Sequence, residues 1–267
     1  MDADSPAVFF LSDYGTADEF VGVVHAVLHR LAPARPVIDL SHRIPPFDVD
    51  SGASMLVRCV PFLGPGVVLA VVDPGVGTAR RGVAIGTAGD GPAWLVGPDN
   101  GLLVPIATEL GGAVGVIQLD PSRAGPGRSG PLGRTFDGRD VFAPAAAHLV
   151  MGGRPEDLGV QVDPASLTTR VAAGPSPETR VESTPTGWAV VTTVTWVDHF
   201  GNVQLRLRPA RSRAQGPVPS GAVTEMRTVC PRPLMPSCCA AEARSSTRAI
   251  RPLASRARPY SPSPSSA

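Results

Sequence analysis

Six consecutive apolar residues, Val67 to Val72, run without a polar interruption into Asp73-Pro-Gly-Val-Gly-Thr-Ala-Arg-Arg. An unbroken apolar run of this length reads as a strand buried on both faces, which is the habit of parallel sheets covered by helices. Asp73 then stands where that strand ends, and in open α/β sheets ligands bind at that end. Gly75 and Gly77 permit positive φ and a close approach of backbone to ligand. Arg80 or Arg81 can fold back to pair with Asp73. Taken alone, the same stretch also fits an ordinary strand-end turn with a solvated arginine pair.

Four further loops combine acids with small residues and, in most cases, an aromatic. They are Ser12-Asp13-Tyr14-Gly15-Thr16-Ala17-Asp18, Gly97-Pro98-Asp99-Asn100-Gly101-Leu102, Thr135-Phe136-Asp137-Gly138-Arg139-Asp140 and Asp198-His199-Phe200-Gly201-Asn202. Most follow an apolar run. Each alone reads as a turn, but five in one chain point to a site assembled from strand ends.

Periodicity supplies the frame for these loops. Strands are expected at Val8 to Leu11, Val37 to Leu40, Gly66 to Val72, Val83 to Ile85, Ala93 to Val96 and Val114 to Leu119. Helices are expected at Glu19 to Leu31, Asp50 to Cys59, Leu103 to Leu110 and Val141 to Met151. This alternation predicts an α/β class, an N-terminal sandwich with a largely parallel sheet flanked by helices. The domain is drawn over residues 1–164, its last helix closing at Gly152-Gly153. A connection follows over 165–183. Trp188 to Val197 and Val203 to Leu207 pair as strands across the His-Phe-Gly-Asn turn, so 184–207 reads as the start of a second, all-β domain.

Beyond residue 207 the pattern stops. Residues 208–267 hold ten Arg, ten Pro and ten Ser against two acids, Glu225 and Glu242. No apolar period is sustained there, and by composition the segment is expected to be without regular structure. The chain has no lysine among its 24 basic residues and is rich in Ala, Gly and Pro, which suggests a GC-rich coding sequence. An out-of-frame reading of such a gene yields the same Arg/Pro/Ser/Ala mixture, and a genuine disordered extension is the competing account.

Composition excludes several function classes. A net charge of +1 over 267 residues argues against nucleic-acid or membrane-surface partners for the whole chain. The acidic start, Met1-Asp2-Ala3-Asp4, does not suit a signal peptide, and no segment approaches the ~18 apolar residues of a membrane span. A cytoplasmic location is expected. Cys59 reads as a small buried hydrophobe, and Cys230, Cys238 and Cys239 lack His or Cys partners at zinc spacing, so neither a metal nor a disulfide framework is expected. His148 reads as packed or solvated, and His42 and His199 are weak candidates for chemistry.

The motifs DPGVGT-x-RR, GPDNGL, TF-x-GRD-x-F-x-P-x-A and D-x-FGN, in this order from Val8 to about Leu207, resemble those of a known family. It is the S-adenosylmethionine hydroxide adenosyltransferases, or adenosine-forming SAM hydrolases, relatives of fluorinase and chlorinase. The resemblance implies an N-terminal α/β domain, a small C-terminal β-barrel and a homotrimer with sites between subunits. It implies SAM as substrate rather than cofactor, with water giving adenosine and L-methionine. The barrel would be incomplete here, because a Ser/Asn/Arg-rich motif for the methionine carboxylate and adenine is not found in 208–267.

The resemblance also assigns roles. Asp73 and Arg80 hold and polarise the attacking water. Asp137 stands where the family usually has a histidine, so two carboxylates here surround Arg80 and should couple. Asp137 can still accept a hydrogen bond from water, or it merely caps the turn before Arg139. Asp13 resembles the carboxylate that takes both ribose hydroxyls. Phe47 stands where an aromatic meets the ligand, and Val76 and Phe136 line the ribose pocket. Asp198 resembles the acceptor of the methionine ammonium, and Phe200 and Asn202 the adenine contacts. For the last two, core packing and a turn role are the alternatives. In fluorinase and chlorinase the positions of Asp73 and Arg80 lack this pair, since a carboxylate would repel a halide. Two alternative functions follow: a halide-dependent SAM adenosyltransferase, or a truncated, non-catalytic nucleoside-binding remnant.

Overall fold

The structure is a computed structural model describing residues 5–123, 136–169, 180–184, 187–198, 200–206 and 223–229. Two compact units divide the chain, one over 1–174 and one over 175–267.

The first unit is built on one seven-stranded sheet. Its strands are β1 (Ala7–Ser12), β2 (Val37–Ser41), β3 (Gly66–Val71), β4 (Gly82–Thr87), β5 (Pro92–Pro98), β6 (Ala113–Leu119) and β7 (Gly159–Val162), in the order β2-β1-β3-β5-β4-β6-β7. The pairings β1–β2, β1–β3 and β3–β5 are parallel, while β4 runs antiparallel to β5 and β6, and β7 antiparallel to β6. The helices are α1 (Phe20–Leu31), α2 (Val49–Cys59), α3 (Val104–Glu109) and α4 (Ala143–Val150).

Strand periodicity divides the core in two. Val8, Phe10, Val67, Leu69, Val71 and Val96 pack on one face with Val24 and Leu28 of α1 and with Ala145, Ala146 and Leu149 of α4. Phe9, Leu11, Val68, Ala70, Val72 and Leu95 pack on the other with Val49, Ala53 and Leu56 of α2 and with Ile106 and Ala107 of α3. All six residues of β3 are buried, because both of its faces meet helices. The unbroken apolar run of the sequence is thus an interior strand, between β1 and β5, of a three-layer sandwich.

Two features differ from the sequence-based expectation. The chain does not close at Gly152-Gly153: it continues into β7, which extends the sheet along β6. Gly159-Val-Gln-Val is too short to announce itself by alternation. The helix expected at Val141 to Met151 begins instead as a π-helical turn, Gly138–Phe142, continued by α4.

In the second unit, β8 (Arg180–Thr184), β10 (Val203–Arg206) and β11 (Val223–Val229) all pair with the long β9 (Gly187–Val197). β8 and β10 are antiparallel to β9 and β11 is parallel to it. The sheet includes a strand from 208–267, so the expectation of no regular structure is corrected for Val223–Val229. Four of those seven residues, Val223, Thr224, Thr228 and Val229, are β-branched and favour extended backbone. The remaining residues of 208–267, including Cys230, Cys238 and Cys239, lie outside the described residues, as do Thr135 and His199.

Candidate active site

The turn after β3 is folded around Asp73. Gly75 N donates to Asp73 Oδ1 (3.2 Å), Val76 N to the Asp73 carbonyl (3.4 Å) and Thr78 N to the Gly75 carbonyl (3.2 Å). Gly77 has φ 80°, a conformation that suits glycine. Gly75, expected to share that freedom, is not at positive φ. Its constraint is space, since a Cβ there would press on Arg80 Cβ at 3.2 Å. The turn thereby brings Arg80 back onto Asp73, and of the two arginines it is Arg80 that makes the pair. Arg80 Nε donates to Asp73 Oδ1 (3.0 Å) and Nη2 to Oδ2, a two-point fork. The same Nη2 donates to Asp137 Oδ2 (2.7 Å). The guanidinium lies against the Phe142 ring, 5.3 Å from its centroid.

Asp73, Arg80 and Asp137, far apart in sequence, therefore form one cluster. Asp73 is only 8% exposed. Burial pushes its carboxyl above the ordinary range, Arg80 opposes this through charge and hydrogen bonding, and the Asp137 charge adds to the rise. The rise at Asp73 thus has desolvation as its leading cause, with the coupling to Asp137 a smaller contribution.

Asp137 is positioned from the other side of the cluster. Phe136 O accepts from the backbone N–H of both Arg139 and Asp140 (3.1 Å each), which starts the π-helical turn. Arg139 and Asp140 pair with each other (2.7 and 2.9 Å), so those motif charges are spent within the turn. Gly138 has a steric reason: a Cβ there would sit 2.0 Å from the Tyr14 hydroxyl.

Tyr14, in the loop after β1, joins the cluster although nothing local in the sequence gives it a role. Its ring packs edge-on against Phe136 (5.6 Å), and Phe20 packs against both (5.8 and 5.3 Å). Burial and the charges of Asp13, Asp73 and Asp137 push its phenol well above the ordinary range, so it stays protonated. Its electrostatic coupling to all three acids was the signal of a shared site, but only the fold exposes it.

Asp13 Oδ2 accepts from Phe47 N at 2.8 Å, and burial raises its carboxyl against the pull of that bond. Phe47 holds φ 65°, rare for a bulky residue, and the residue is 65% exposed. Val76 is exposed on the Asp73 turn.

The GPDNGL loop is not part of this cluster but braces it. Asn100 Nδ2 donates to the Val72 carbonyl (2.9 Å), tying down the residue before Asp73. Arg81 Nε donates to the buried Asp99 (3.0 Å), whose other oxygen accepts from Thr168 N (2.8 Å). Arg81 Nη2 also reaches the Ser166 carbonyl (2.7 Å).

In the second unit, Asp198, Phe200 and Asn202 occupy one turn between β9 and β10. Asp198 Oδ1 accepts from Phe200 N (2.9 Å) and Asn202 N (2.8 Å), and Oδ2 from Asn202 Nδ2 (2.7 Å). The Asn202 amide chiefly holds the Asp198 carboxyl below its ordinary range. Phe200 is 87% exposed, so it does not pack in a core.

With this geometry in view, residues 8–159 match the model of the SAM hydroxide adenosyltransferase N-terminal domain. The chain belongs to that family. It is 48% identical over 204 residues to the (R)-S-adenosyl-L-methionine hydrolase of Salinispora arenicola, covering 76% of this chain and 72% of the relative. A fluorinase of Actinoplanes sp. is 28% identical over 221 residues, covering 74% and 70%. A Thermotoga maritima crystal structure titled as an uncharacterized conserved protein matches with a TM-score of 0.61 and 32% identity, covering 75% of this chain and 71% of that one.

Proposed function

We propose that the protein hydrolyses S-adenosyl-L-methionine to adenosine and L-methionine. The observation that carries the reading is the buried Asp73–Arg80 pair just past the end of β3, an interior strand. A water attacks the ribose C5′ in line with the C5′–S bond. The bond breaks with its electron pair going to sulfur, so methionine leaves as a neutral thioether and needs no general acid. The water's proton passes to Asp73 and then to solvent. Arg80 orients Asp73 and the water, and being permanently charged it keeps the pair assembled. A desolvated carboxylate is a stronger base than an exposed one, which suits this task. Asp137 assists as a second acceptor on Arg80.

The remaining roles belong to the same proposal. Asp13 takes the ribose hydroxyls, for which its second oxygen and a remaining lone pair on Oδ2 are suited. Phe47, Val76 and Phe136 line the ligand, with Tyr14 backing Phe136. Asp198 accepts the methionine ammonium, and Phe200 and Asn202 meet the adenine. For Asn202 this requires exchanging the bond it makes to Asp198. The working unit is a homotrimer with the second unit extended to a β-barrel, acting in the cytoplasm on SAM with no metal at the Asp73 site and no nucleic acid or membrane partner. Among the described residues no helix is long and apolar enough to cross a membrane.

Incubation of the purified chain with SAM, followed by chromatography, tests the reading. Adenosine and methionine are expected. A 5′-halo-adenosine on adding chloride or fluoride would move the protein to halide transfer, which the carboxylate of Asp73 disfavours. SAM returned unchanged would leave a nucleoside-binding remnant.

A further inference from the structure

Away from Asp73, three potential metal ligands converge from different parts of the first unit. His25 lies on α1, Asp39 in β2 and His42 just after β2. Ligand atoms of the three lie within 4.8 Å of one another. His25 Nε2 is 2.8 Å from Asp39 Oδ1, and His42 Nε2 is 3.1 Å from the same oxygen.

A second observation concerns His42 alone. The residue is 6% exposed, and its buried Nε2 has no hydrogen-bond partner despite the nearby carboxylate. The 3.1 Å approach is thus an ion-pair distance without hydrogen-bond geometry. The other ring nitrogen, Nδ1, is engaged with the buried Ser12 Oγ at 2.8 Å. When Nδ1 donates to Ser12, Nε2 carries a lone pair. In that tautomer a lone pair on the buried nitrogen faces the partly exposed Asp39 oxygen, and a proton or a cation between them relieves the repulsion.

We propose that His25 Nε2, His42 Nε2 and Asp39 Oδ1 bind a first-row divalent cation, with Zn²⁺ the best match. Two imidazoles and a carboxylate are borderline donors of the kind zinc takes, in a tetrahedral set completed by water. Bonds of ~2.0–2.1 Å place tetrahedral ligands about 3.3 Å apart, so the observed 2.8 and 3.1 Å need to open by only a few tenths of an ångström. The fourth position has room on the solvent side. Asp39 and His25 are partly exposed, and His25 lines a cleft with Gly22, Ala26, His29, Arg35 and Val37. Ser12 is the outer partner that fixes the His42 tautomer. It precedes Asp13 in the chain, so the cation would tie α1 and β2 together directly behind the loop that carries Asp13. The spacing explains why the sequence reading expected no metal: one ligand comes from α1, 14 residues before Asp39, and no paired motif marks the set.

The test is titration of the full chain, free of any histidine tag, with Co²⁺ followed by absorption and with Zn²⁺ followed by calorimetry. One equivalent of cobalt is expected to give tetrahedral ligand-field bands that zinc abolishes. Ser12→Ala should weaken binding ~10–100-fold, as loss of an outer partner does, and His25→Ala and Asp39→Asn by more than that. His25 is partly exposed, so its variant stays folded even where His42→Ala does not. Thiolate charge-transfer bands would assign the cation to the cysteines and overturn the proposal. So would unaltered binding in His25→Ala and Asp39→Asn. A parent that binds no cation would leave an ordinary His–Asp–His contact and overturn it equally.

Discussion

A single guanidinium nitrogen, Arg80 Nη2, serves two carboxylates, and this arrangement sets what each substitution should do. Asp73→Ala removes the proposed proton acceptor, and adenosine formation should fall ~10²–10⁴-fold, the usual worth of a positioned base. Circular dichroism should stay at the parent's. Turnover within a few-fold of the parent would remove Asp73 from the mechanism. The pH profile carries a sharper signature. Asp73 must be ionised to act, and burial raises its carboxyl, so the acid limb of kcat/KM should lie above the ~3.9 of an ordinary aspartate. The Asp137 charge contributes to that rise, so Asp137→Asn should move the limb to lower pH. Asp137→His should instead retain or raise activity and add a group titrating near neutrality. Profiles that superimpose for all three proteins would make Asp137 a turn residue only.

At the scale of elements, the strand-end loops were legible because apolar runs, acids and glycines leave a local record. The sequence marked Asp73, Arg80 and Asp137, and the fold brings these three together. It did not mark the packing that holds them. Gly138 reads locally as a turn glycine, whereas its reason is a tyrosine hydroxyl more than a hundred residues upstream. Gly138→Ala should therefore destabilise by ~1–3 kcal/mol, the cost of overpacking a filled site. Tyr14→Phe, which removes the clashing oxygen, should recover part of that loss in a double-mutant cycle of thermal midpoints. Additive midpoints would show that the two residues do not meet. Asn100 was read as part of a ligand loop, yet its amide ends on the Val72 carbonyl. Asn100→Ala should cost ~1–3 kcal/mol by leaving that carbonyl unpaired, and activity should drop because Asp73 is the next residue. Long-range partners of this kind have no sequence period, which is why β7 and the braces were missed while β3 was not.

For the whole molecule, composition located the break in pattern near residue 207 but not the strand Val223–Val229 beyond it, because a seven-residue run is diluted by its Arg/Pro/Ser surroundings. Both hydrophobic clusters lie within the first unit, so residues 1–174 should fold alone with one cooperative thermal transition. A broad, non-cooperative melt would show that the second unit supplies part of that stability. The codons past 207 offer a separate check: a shifted frame that restores a β-patterned reading would assign the Arg/Pro/Ser mixture to the gene rather than to a designed extension.

The clasp of Arg81, Asp99 and Thr168 has one more consequence. Thr168 N–H belongs to no ladder, yet it is spent on a buried carboxylate 69 residues away. In heavy water that one amide should exchange far more slowly than the backbone around it, and only while the turn carrying Arg80 and Arg81 holds its shape. A single slow proton in an otherwise irregular stretch would then serve as a built-in gauge, readable by mass spectrometry, of whether the Asp73–Arg81 turn is intact in any variant or ligand state.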